Sequence, residues 1–137
     1  MAVIYHFEVH TPYRLFFSDE VQAVTLTLVD GEIGIYAKRS PITAPVLTGI
    51  LRIKDENGEW RSAFITSGIL EVTERKTILI VEAAEWPEEI DKERAEAAGQ
   101  QARENMEFAM LKFEINNAKE KLRRSEYRLK VAALAKQ

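Results

Sequence analysis

The chain of 137 residues has no cysteine. Disulfides, thiolate metal sites and cysteine nucleophiles are excluded together. There are only two histidines, His6 and His10. Four residues of strand would hold them ~13 Å apart, too far for one metal ion, and they read as ordinary surface or half-buried residues. No apolar run approaches the ~20 residues that span a bilayer, so direct membrane insertion is not expected. Met1 to Val9 lacks the basic start and apolar block of a secretion signal. A soluble protein in a reducing compartment is the expectation. The formal net charge of −3 argues against nucleic acid as a partner. Ser18, Ser40, Ser62, Ser67 and Ser125 have no base and orienter beside them, so nucleophilic catalysis has no support. Gly31-Glu32-Ile33-Gly34 lacks the Lys-Ser/Thr of a phosphate loop and reads as a turn. No catalytic residue and no metal site is expected.

Proline is scarce and one-sided. Pro12, Pro41, Pro45 and Pro87 are the only four, and after Pro87 the only glycine is Gly99. Before Pro87 the apolar residues alternate. Val3, Tyr5, Phe7 and Val9 form one such run, Val24, Leu26 and Leu28 another. Tyr13 to Ser18 reads as a short separate strand. Further strands are expected from Ile33, at Ile50 to Lys54, Trp60 to Thr66, Ile69 to Thr73 and Thr77 to Val81, with Pro41 to Pro45 as an irregular or edge passage. Asp30-Gly31, Asp55-Glu56-Asn57-Gly58 and Glu74-Arg75-Lys76 are turns. Short strands without intervening helix predict an antiparallel β-sandwich over residues 1–86.

Residues 87–137 read as helix. Pro87 suits a first helical position, and the acids that follow suit the positive end of a helix dipole. Ile115, Ala118, Leu122, Ser125, Leu129 and Ala132 form a narrow stripe at spacings of three and four. Ile90, Ala95, Ala97, Ala98 and Ala102 offer a small-residue face. Glu107 to Lys112 has no turn chemistry, and both a loop and one long helix remain open. Charge is segregated: Glu85 to Glu107 holds eight acids and three bases, Lys112 to Lys136 eight bases and three acids. An antiparallel two-helix hairpin would set the blocks side by side.

Two pairs stand out. Asp91 is a candidate N-cap with Arg94 one turn on as an exposed ion pair. Arg124 and Arg128 share a face of the second helix, and Glu120 pairs with Arg124 at a favourable spacing. A hairpin would bring the pairs together, and guanidinium forks suit phosphate oxygens. That is a candidate nucleotide pocket. The alternative is a basic face that docks on an acidic protein surface.

These residues carry a family resemblance over essentially the whole length. Asp30-Gly31-Glu32-Ile33-Gly34-Ile35-Tyr36 with Pro41-Ile42, then Ser67-Gly68-Ile69-Leu70-Glu71-Val72, then two helices, resembles the epsilon subunit of bacterial F-type ATP synthases. Ile90-Asp91-Lys92-Glu93-Arg94-Ala95 is similar to the Ile/Leu-Asp-x-x-Arg-Ala motif with which some of these subunits bind ATP. The resemblance implies a nucleotide site of Glu85, Ile90, Asp91, Arg94, Arg124 and Arg128, with ATP as a regulatory ligand and no required cofactor. It implies a non-catalytic rotor subunit whose sandwich lies between the gamma subunit and the ring of membrane c subunits. Glu32, Lys38, Arg39 and Ser40 would face that ring. The helical part would fold down to permit ATP hydrolysis, or extend toward the catalytic beta and alpha subunits to block it. The expected location is peripheral, on the cytoplasmic face of the bacterial membrane. Two positions depart from the family pattern: Ala37-Lys38-Arg39-Ser40 replaces Pro-Gly-His, and Gln101 stands where an arginine is frequent. A free-standing nucleotide-sensing or adaptor module is the rival reading.

Overall fold

Alternation becomes nine strands among the described residues, which are 3–37 and 40–135 of a computed structural model. They are β1 Tyr5–His10, β2 Leu15–Leu28, β3 Gly31–Tyr36, β4 Ile42–Val46, β5 Gly49–Asp55, β6 Trp60–Ile65, β7 Gly68–Val72, β8 Lys76–Val81 and β9 Ala84–Glu85. Hydrogen bonding links them in the order β4-β7-β8-β1-β2-β5-β6-β9, with β3 on β2. The path turns back on itself through β2 to make a β-sandwich. The first half of β2 pairs with β1, and the second half with β3 and β5. Phe7, Val9, Val24, Leu26, Leu51, Ile53, Phe64, Leu70 and Leu79 fill the core at 0–1% exposure.

Three expectations change here. Tyr13 to Ser18 and Val24 to Leu28 belong to one strand of 14 residues. Nothing from Asp19 to Gln22 breaks the chain. A register shift between Val21 and Ala23 lets β2 bend instead. The pairings are antiparallel except β1 with β8, which is parallel. Val29 and Asp30 make the turn, and Gly31, with φ 120°, opens β3, so Gly31 to Gly34 run as strand. Gly68 answers a different need: a Cβ there would run into the Ile80 carbonyl of β8.

Contacts divide the chain into two compact units, Met1–Glu85 and Trp86–Gln137. The second opens on a 3-10 turn, Pro87–Glu89, whose Glu89 carboxylate accepts the Trp86 N–H at 2.9 Å. Helix α1 then spans Lys92–Phe108 and α2 Lys112–Ala132. The passage with two readings is a connection of three residues, Ala109 to Leu111. Glu114 Oε2 accepts the Met110 N–H at 3.2 Å and so helps start α2 without a polar N-cap. Phe108, Met110, Leu111 and Phe113 are all exposed at this connection.

The expected small-residue face holds at Ile90, Ala95 and Ala102 and changes between them. Ala97 and Ala98 are exposed, and Ala95, Gly99 and Ala102 are buried. On α2, Ala118, Ser125 and Ala132 are buried as the stripe requires, Ile115, Leu122 and Leu129 half-buried, and Val131 buried off the stripe.

Candidate functional site

Small residues mark the closest approach of the two helices in the hairpin. Ser125, 3% exposed, donates its hydroxyl to the Ala95 carbonyl at 2.7 Å. Gly99 lies opposite, where a Cβ would overlap Ser125 Oγ and stand 3.2 Å from its Cβ. Neither residue was singled out as functional from the sequence. The one available signal was a lone glycine and a serine, each within an otherwise alanine- and leucine-rich stripe.

This contact orients the four charged residues. Successive helical positions turn by about 100°. Arg94 therefore lies about 100°, and Asp91 about 40°, to one side of Ala95. Arg124 and Arg128 fall about 100° and 60° to one side of Ser125. Because α2 runs opposite to α1, those two sides border the same groove. Arg128 is three residues, ~4.5 Å, beyond Ser125 toward the start of α1, which puts it level with Arg94.

Locally, Asp91 is the N-cap: its Oδ1 accepts the Arg94 N–H at 3.1 Å. The expected Asp91–Arg94 ion pair is absent among the described residues. What joins them is the backbone cap, and the Arg94 side chain is exposed. Arg124 Nε lies 3.6 Å from Glu120 Oε2, the pairing that the spacing predicts. Arg124 and Arg128 are half-buried, and Ile90 is buried at 9% exposure. Gln101 donates to Asn105 at 3.0 Å. A groove of about 370 Å³ opens at the hinge end of the hairpin, lined by Asn105, Phe108, Ala109, Glu114, Asn117, Ala118 and Lys121. Arginine side chains at this spacing suit phosphate oxygens.

Glu85 belongs to the other unit, half-buried in β9 opposite Phe64. Glu32 is exposed at the start of β3, opposite Thr27. Ser40 is exposed beyond the other end of that strand. Lys38 and Arg39 lie outside the described residues.

His6 and His10 are half-buried and share one partner. Glu8 Oε2 accepts from His6 Nε2 at 2.9 Å and Oε1 from His10 Nε2 at 2.7 Å, with Lys76 Nζ at 3.5 Å. The bond from His10, and less strongly that from His6 and the Lys76 charge, hold the Glu8 carboxyl below its ordinary value against the opposing effect of desolvation. Among the described residues no three His, Asp or Glu side chains gather as a metal site.

Residues 4–87 match the family model described as "ATP synthase, Delta/Epsilon chain, beta-sandwich domain". The chain is 41% identical to the ATP synthase epsilon chain of Caldicellulosiruptor saccharolyticus, over 93% of this chain and 92% of that one. It is also 41% identical to that of Caldanaerobacter subterraneus subsp. tengcongensis, over 97% and 96%. Its fold is similar to a chain in the mitochondrial ATP synthase of Euglena gracilis, solved as OSCP/F1/c-ring. That match has a TM-score of 0.80 at 22% identity and covers 98% of this chain and 84% of that one.

Proposed function

Because the chain belongs to the delta/epsilon family of ATP synthase chains, we propose that it works as the small rotor subunit of an F-type ATP synthase. It couples rotation to ATP synthesis and catalyses nothing itself. The observation that carries this reading is likeness at 41% identity across both units, sandwich and hairpin alike. The sandwich would bind the gamma subunit and the membrane c ring, with Glu32 and the Lys38-Arg39-Ser40 segment as the candidate ring contacts. No helix among the described residues is long and apolar enough to cross a membrane. Attachment to the cytoplasmic face of the membrane would then run through these partners.

The hairpin supplies the regulation. Its basic second helix would leave the acidic first helix and reach acidic segments of the catalytic subunits, which blocks ATP hydrolysis. ATP held by Ile90, Asp91, Arg94, Arg124 and Arg128 would favour the closed form. A ligand at about 100 times its dissociation constant adds about 2.7 kcal/mol to the form that binds it. Complete reversal of a two-state balance needs about 5.5 kcal/mol. ATP therefore biases closure, and contacts within the complex supply the rest.

The test is deletion of the chain after Trp86 in the assembled synthase. ATP hydrolysis rises if the hairpin inhibits, and unchanged hydrolysis removes that role. Failure of the intact chain to co-purify with gamma and the catalytic subunits would instead mark a free-standing module. Calorimetry with ATP on the isolated chain reads the pocket: Arg128→Ala binds more weakly, and equal binding leaves Asp91 as a cap alone.

A further inference from the structure

Two helices that meet through alanines have shallow ridges, and shallow ridges do little to set how far one helix slides or turns on the other. One polar contact in the hairpin removes that freedom. The Ser125 hydroxyl is buried, and the Ala95 carbonyl is where it donates. It reaches that carbonyl because position 99 carries no Cβ. A buried hydroxyl left without a partner is destabilising, so another setting of the two helices is penalised. Ala95 follows Arg94 directly, and Ser125 follows Arg124 directly. This bond thus ties together the two turns that carry the arginines.

We propose that Ser125, with Gly99 facing it, is the positioning residue of the nucleotide site: it fixes the one setting of α2 on α1 in which Asp91, Arg94, Arg124 and Arg128 border the same groove. The proposal rests on the nucleotide reading above. It adds that binding depends on two residues that touch no phosphate. A turn of α2 by one residue would carry both arginines about 100° around the helix. A Cβ at position 99 would push the serine, and the arginines beside it, away from α1.

Calorimetry with ATP on the full chain tests this, with circular dichroism as the check on helix content. Ser125→Ala is expected to weaken ATP binding about three- to tenfold, the worth of one buried hydrogen bond, with helix content unchanged. Gly99→Ala is expected to weaken it more. Adding Ser125→Ala to Gly99→Ala removes the overlapping oxygen but leaves the 3.2 Å approach of the two Cβ atoms, so the double variant is expected to bind better than Gly99→Ala and no better than Ser125→Ala. In a background carrying both Arg124→Ala and Arg128→Ala, Ser125→Ala is expected to lose most of its effect, because it acts through those arginines. A loss of the same size in both backgrounds marks a purely structural serine and overturns the positioning role. Wild-type chain that binds ATP no better than Ser125→Ala and Gly99→Ala also overturns it. Wild-type chain that binds no ATP at all overturns the nucleotide reading, and the positioning role falls with it.

Discussion

In the sandwich, Phe7, Phe64, Leu51 and Ile53 are each fully buried, whereas the α1–α2 contact runs through Ala95, Gly99, Ala102, Ala118 and Ser125. Burying a leucine- or phenylalanine-sized side chain stabilises by about 1.5–3 kcal/mol, and each methylene-sized group by about 0.8 kcal/mol. The hairpin therefore gains far less per contact than the sandwich. An alanine interface separates without exposing much apolar surface. That suits the opening proposed for the hairpin, while the sandwich suits a part that holds its shape. The connection fits the same contrast: strand turns are built on residues such as Gly31 and Gly58 in positive φ, but Ala109 to Leu111 has no turn former to keep it bent.

The sharpest way to test the contrast is in the sandwich core. Leu51→Ala is expected to cost about 3–5 kcal/mol, read by chemical denaturation of the full chain. A loss comparable with that of an exposed substitution would mean that the core does not govern the sandwich.

A smaller effect is expected in the hairpin. Asp91→Ala removes the α1 cap and is expected to cost about 1 kcal/mol. Hydrogen exchange locates it: amides of α1 exchange faster and those of β5 and β6 do not. Equal acceleration in the sandwich would show that the two regions unfold together and end the comparison.

The smallest effect concerns the sandwich surface. The Glu8 carboxyl is held below its ordinary value in the folded chain, first by His10. Its ionised form thus favours the fold, a contribution that is complete above the unfolded carboxylate value of about 4.3. It fades as pH falls through the lower folded value. The difference in melting temperature between wild type and Glu8→Gln should be constant near neutrality and shrink below about pH 4. A difference that does not change with acid would show that the histidines do not stabilise the carboxylate.

Local chemistry was legible. Alternation located the strands from β5 to β8 to within a residue or two, because a half-buried strand writes its two faces into successive residues. The cap at Asp91 and the Glu120–Arg124 pair were legible for the same reason, since each joins residues within one helical turn. Other features were not. The small-residue face was legible at Ile90, Ala95 and Ala102, but Ala97 and Ala98 were read in place of Gly99, because only the partner helix decides which small residue has to yield space. Glu8 went unnoticed although its main partners, His6 and His10, lie two residues away on its own strand; only the weaker Lys76 contribution comes from far along the chain.

The sequence by itself therefore determined where strands give way to helices, the opposite charge of the two helical halves and the family to which the chain belongs. The first two follow from periodicity and composition and the third from motif resemblance, and none needs knowledge of the fold. Only the tertiary structure decided that β2 is one bent strand, that β1 lies parallel to β8, and that Ser125 reaches Ala95 past Gly99. Each of these depends on residues remote in sequence, and their distances do not exist until the chain has folded.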